Sequence, residues 1–77
     1  MPPPARKRPR SPFLKSIGDR IRQLRTEHGL SQEELAYRVG VDRTYQSDVE
    51  RGQRNFSVSL LCDYGKVLNV RPEDLLR

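Results

Sequence analysis

Between residues 29 and 55 the chain reads GLSQEELAYRVGVDRTYQSDVERGQRN, and its start and stop signals leave room only for two short helices joined by a glycine turn. Ser31 and Glu34 form an S-x-x-E capping box, in which each side chain satisfies a backbone N–H of the other. Leu35, Ala36 and Val39 follow on one face, and Gly40 closes that helix. Asp42 then caps a further helix over 43–51, which Gly52 ends.

The flanking segments read as helices too. Phe13, Leu14, Ile17, Ile21 and Leu24 recur at helical spacing up to Glu27, giving a one-sided first helix that Gly29 ends. Ser57 caps a fourth helix over 58–69, and Pro72 stands at the first position of a last turn with Glu73 and Asp74 near its positive end. Nothing alternates at period two, so no strand is predicted. The expected fold is all-α: a compact five-helix bundle over residues 13–77 in which helices two and three form the helix-turn-helix unit. At this size it has a thin core, and a partner subunit would help to stabilise it.

Residues 1–12 (MPPPARKRPRSP) hold five of the six prolines and are expected to form a disordered arm. They also carry +4 of the +5 formal charge, so the folded part is nearly neutral and local placement must decide what it binds. The arm's uses stay open among a solvated start, a phosphate-attracting or minor-groove arm, and a nuclear-localisation run. No apolar run approaches the length of a membrane span and no signal-peptide pattern is present, which excludes a membrane partner. The single Cys62 excludes an internal disulfide and points to a reducing cytoplasm.

Helix three is the informative one. Tyr45 and Val49 share its inward side with Gln46 flanking them, whereas Arg43, Thr44, Ser47, Asp48 and Arg51 cover the other. Taken alone, this is an ordinary solvated amphipathic helix. Preceded by a capped helix and a tight turn, it is an element that can lie in a major groove while its predecessor holds it there. Arg43 at the leading end can bridge a guanine edge, and Thr44 can offer its hydroxyl to a base or its methyl to thymine. Arg43, Thr44, Ser47 and Asp48 are the candidate base readers.

The string Arg20-Ile21-Arg22, Leu24-Arg25, Gly29-Leu30-Ser31-Gln32-Glu33-Glu34-Leu35-Ala36, Gly40-Val41 and Glu50-Arg51-Gly52 resembles the Cro/repressor-type (Xre) helix-turn-helix family over about residues 14–76. Within it, Asp42-Arg43-Thr44-Tyr45 followed by Glu50-Arg51-Gly52 and Arg54-Asn55 is similar to the controller proteins of restriction–modification systems. The resemblance implies a phage-repressor type of bundle that regulates transcription in a bacterial or phage setting, associated with the nucleoid. It implies base reading at Arg43 and Thr44, and DNA-backbone contact at Gln32, Arg51, Arg54 and Asn55, a set to which Tyr45 is added. It also implies a structural ion pair between Arg25 and Glu50. The chain departs from the family at Gln46, where an aliphatic residue is usual, so this side chain either loosens the helix or reaches DNA. A second departure, Asp48, either accepts from cytosine N4, repels phosphate, or is simply solvated.

Helix four carries two apolar stripes, Val58, Leu61, Cys62, Gly65 and Leu68 on one side and Leu60, Tyr64 and Val67 on the other. Either the last turn covers the second stripe through Leu75 and Leu76, or Leu60, Tyr64, Val67, Leu75 and Leu76 build a two-fold homodimer that reads a pseudo-palindrome. Double-stranded DNA is the expected partner. An enzyme is not expected: His28 suits a helix-end role, Cys62 sits on an apolar face, and one Cys with one His cannot assemble a zinc site. No cofactor, metal or small-molecule ligand is indicated. The rival from another class is an antitoxin-like protein-interaction module in which DNA binding is secondary.

Overall fold

The computed structural model describes residues 11–76. Its elements are α1 (Pro12–Glu27), α2 (Gln32–Val39), α3 (Arg43–Glu50), α4 (Val58–Leu68) and a single 3₁₀ turn (Pro72–Leu75). Most of the expected arm, residues 1–10, lies outside the described residues. No strand occurs among those described.

Each α-helix starts on a side-chain cap. Ser11 Oγ accepts from the Leu14 N–H at 3.1 Å and Pro12 opens α1, so the last two residues assigned to the arm belong to the helix start. The capping box of α2 is closed in both directions, at 3.0 Å each way. The Ser31 backbone N–H, more than its hydroxyl, draws the exposed Glu34 carboxyl below its usual range. Asp42 Oδ1 accepts from Tyr45 at 2.7 Å and Ser57 Oγ from Leu60 at 3.0 Å. The expected fifth helix is instead one 3₁₀ turn. Its four residues close only short-range bonds, Asp74 N–H to the Arg71 carbonyl and Leu76 N–H to that of Glu73.

The core gathers Ile17, Ile21, Leu35, Val49, Leu68 and Leu75 among others, drawing on every element. Some wheel assignments fail. Phe13 is 55% exposed and Val58 is 80% exposed although both share an apolar stripe with buried residues, because both lie at the rim of an open groove. Tyr64 and Leu75, expected either at a dimer surface or in a stripe covered by the last turn, are fully buried in this chain. Tyr64 tolerates burial because its hydroxyl has a partner inside, and the 3₁₀ turn swings Leu75 under α4. Leu60 and Val67 are half-buried against the core, so of the expected dimer set only Leu76 is exposed.

The crossing of α1 over the end of α3 depends on Gly18. A Cβ there would lie 2.3 Å from the Val49 carbonyl oxygen and 2.9 Å from that of Glu50, both rigid backbone. Gly18→Ala is therefore expected to force the helices apart at a cost of about 1–3 kcal/mol. Thermal unfolding should register a fall in Tm of at least about 4 °C. A Tm unchanged by the substitution would contradict this close approach.

Candidate nucleic-acid interface

One carboxylate organises the interior side of the helix-turn-helix. Glu50, at the end of α3, receives Arg25 Nε at 2.7 Å and a second Arg25 nitrogen at 3.0 Å, a bidentate pair. The Arg25 and Glu50 side chains are only 12% and 3% exposed. Arg25 also donates to the Leu30 carbonyl at 2.8 Å, tying down the α1–α2 turn. Gln32 Nε2 donates to Glu50 at 3.2 Å and Gln46 Nε2 at 2.8 Å. Tyr64 then donates its hydroxyl to Gln46 Oε1 at 2.6 Å. Burial first, then the electrostatic influence of Tyr45 and the Glu50 carboxylate, pushes the Tyr64 hydroxyl far up, so it stays protonated and remains a donor.

This chain of bonds crosses from α1 through α2 and α3 to α4. It also answers the question posed by Gln46, which is fully buried: it neither loosens the helix nor reaches the surface. An amide at this position extends the Glu50 network to α4, which an aliphatic side chain cannot do.

On the outer side, Arg43 and Thr44 are exposed at the leading end of α3. Together with Gln32, Ser47 and Arg51 they line one open depression. The N-terminus of α2 thus stands beside the N-terminus of α3, with its unpaired backbone N–H groups and the Gln32 amide on one side and the Arg43 guanidinium on the other. Ser47 is half-buried and Asn55 is exposed. Tyr45 is half-buried, with the Arg54 guanidinium carbon 4.8 Å from its ring centre.

Asp48 does not lie on the open surface. The wheel placed it on the solvent side, yet it is 5% exposed. Arg51 meets its carboxylate at 2.8 Å and Arg54 at 3.3 Å, from a loop whose Gln53 N–H bonds back to the Asp48 carbonyl. A wheel treats a helix in isolation and cannot show a loop folding over it.

Tyr37 escaped the sequence analysis. It is 87% exposed on α2 and shares a second open depression with Gln32 and Arg43. Its signal was an aromatic ring on the polar face of a helix whose apolar positions were already filled. His28 is exposed, with Nδ1 2.8 Å from the Leu24 carbonyl oxygen at the end of α1. Among the described residues no group of three or more His, Cys, Asp or Glu side chains could hold a metal ion.

Two capped helices in this relation, the second presenting arginine and hydroxyl groups, define a helix-turn-helix domain. The helix-turn-helix domain family matches residues 16–77, and the chain belongs to it, in its Cro/repressor (Xre) branch. It is 45% identical over 61 residues to control protein C.BamHI of Bacillus amyloliquefaciens, covering 78% of this chain and 75% of that one. The crystal structure of the restriction–modification controller protein C.AhdI from Aeromonas hydrophila superposes with a TM-score of 0.75 at 46% identity, covering 82% of this chain and 94% of that one. The biofilm master regulator SinR, solved in complex with DNA, gives a TM-score of 0.74 at 44% identity, over 79% of this chain and 98% of that one.

The Arg25–Glu50 bridge holds the interface from behind and does not face it. Arg25→Ala leaves a buried carboxylate without its strongest partner, and unfolding free energy should fall by about 3–5 kcal/mol. Pairing it with Glu50→Gln should recover part of that loss. DNA affinity per folded molecule is expected to hold in the single variant. A clean loss of affinity at unchanged melting temperature would overturn the structural role.

Proposed function

We propose that this chain is a sequence-specific DNA-binding transcriptional regulator that reads the major groove with α3. The observation that carries this is the exposed Arg43–Thr44 pair at the leading end of α3, set beside Gln32 at the start of α2. In this role Arg43 and Thr44 read bases and Ser47 touches them at the edge of its reach. Gln32, Arg51, Arg54 and Asn55 contact the sugar–phosphate backbone, with the Tyr45 ring supporting Arg54. The SinR complex with DNA and the regulatory names of the relatives support the reading. Likeness to C.BamHI and C.AhdI supports its narrower form, the controller of a restriction–modification operon. The role requires neither catalysis nor a cofactor. It places the protein in the cytoplasm, where the DNA it reads is found. No described helix is long and apolar enough to cross a membrane.

Gel shift on DNA upstream of its own operon tests the assignment. Binding should weaken steeply with salt, because each neutralised phosphate releases counterions. Arg43→Ala should relax base preference at one half-site position, costing about 1–3 kcal/mol of discrimination there. Gln32→Ala or Arg51→Ala should instead weaken binding about evenly across sequences. A preference profile that survives Arg43→Ala would remove Arg43 from the reading role.

The working unit is a homodimer, joined through a face that differs from the one drawn from the sequence. Phe13, Phe56, Val58 and Leu76 meet in one apolar groove between the start of α1, the α3–α4 loop and the C-terminal turn. Three of the four exposed large hydrophobic side chains among the described residues, Phe13, Val58 and Leu76, fall in this groove, and such clusters mark association surfaces. The groove adjoins the loop that carries Arg54 and Asn55, so a two-fold there sets two recognition helices on one face of a duplex. Sedimentation of the wild-type protein should show a dimer at tens of micromolar, and Val58→Asp should return it to monomer. Monomer alone, with and without DNA, would refute this assembly.

A further inference from the structure

The loop after α3 contains a contact that DNA binding by itself does not require. Two of the arginines best placed for phosphate, Arg51 and Arg54, already share a carboxylate within the chain. Asp48 accepts from Arg51 at 2.8 Å and from Arg54 Nε at 3.3 Å, while its own side chain is almost fully buried. The two arginine side chains are 50% and 45% exposed, so each turns one edge inward to Asp48 and keeps another toward solvent. Arg54 is held from a second direction by the Tyr45 ring, 4.8 Å from its guanidinium carbon.

We propose that Asp48 is a specificity-setting positioning residue, an internal stand-in for a DNA phosphate that orients Arg51 and Arg54 and tempers their attraction for backbone of any sequence. The proposal rests on the DNA-binding reading above. A guanidinium has five N–H donors in a rigid plane, and it can bind a carboxylate along one edge while offering the next to phosphate. Holding that plane still has two effects. It reduces the ordering cost when phosphates arrive in the register set by Arg43 and Thr44. It also lowers the net charge of the loop, on which binding to unrelated DNA chiefly depends. Asp48 therefore acts on the ratio between cognate and non-cognate affinity without touching a base.

Asp48→Asn keeps the shape and an acceptor while removing the charge. Non-cognate affinity of the variant is expected to rise by about threefold to tenfold, and the slope of log K against log salt to steepen by about one. Cognate affinity should gain less, so the specificity ratio falls. Combining Asp48→Asn with Arg51→Ala and Arg54→Ala should abolish the difference in slope. A folded Asp48→Asn protein with wild-type slope and wild-type non-cognate affinity would overturn the proposal. A wild-type protein that binds no duplex at low ionic strength would instead defeat the functional reading itself. Should the variant fold poorly, nitrogen-15 spectra of the wild-type protein decide. The Arg54 Nε–H signal is expected to exchange slowly both in the free protein and on cognate DNA, and exchange as fast as that of the exposed Arg22 would count against the clasp.

Discussion

The Glu50 carboxylate is the point on which the rest of the domain depends. It is buried, it ends the recognition helix, and it accepts N–H groups from three side chains on three helices: Arg25, Gln32 and Gln46. A charge placed there without partners would cost far more than so small a core can offset. With its acceptors filled, the same charge specifies one arrangement, because only one relative placement of α1, α2 and α3 satisfies every donor at once. Tyr64 extends the requirement to α4 through Gln46. The apolar core supplies the driving force, while this polar chain sets how the helix-turn-helix sits.

The relation between interior and surface follows from that placement. Gln32 takes part in both, since its amide is tethered to Glu50 and its residue lines the depression beside Arg43. The two helix N-termini are held together from behind, and their outward groups stand where the network puts them. Asp48, two residues before Glu50 in the last turn of α3, repeats the device toward the outer side, where a buried carboxylate restrains two cationic side chains at the rim. The folded part is nearly neutral, so in the proposed function DNA affinity rests on arginines placed on one face and not on net charge.

Family membership, the all-helical fold and the four α-helices were legible in the residues, because the signals are local. Ser31, Asp42 and Ser57 each accept from a backbone N–H three residues on, and their helices start within a residue of where the cap implies. The exposed placement of Arg43 and Thr44 followed from the side of α3 they share, opposite Val49. Periodicity failed where burial depends on another element. Asp48 was drawn outward because the loop that covers it is invisible on a wheel. For Tyr64 and Leu75 the spacing left a partner subunit and the chain's own last turn as alternatives, and a hydrogen bond and a 3₁₀ turn place them inside. Tyr37 carried a local signal, a ring on the polar face of α2, but only the packed structure shows it exposed beside Gln32 and Arg43.

The amino-acid order by itself determined where helices begin and end and which face of each is apolar, since caps, glycines and spacing act over a few residues through the backbone. Only the tertiary structure decided which polar side chains meet. Gln46, Glu50, Arg25 and Tyr64 come from three different helices, and their bonds are specific in distance and angle. That selectivity arises once the helices are packed, when a donor left unsatisfied in a dry interior carries a penalty that water would otherwise remove.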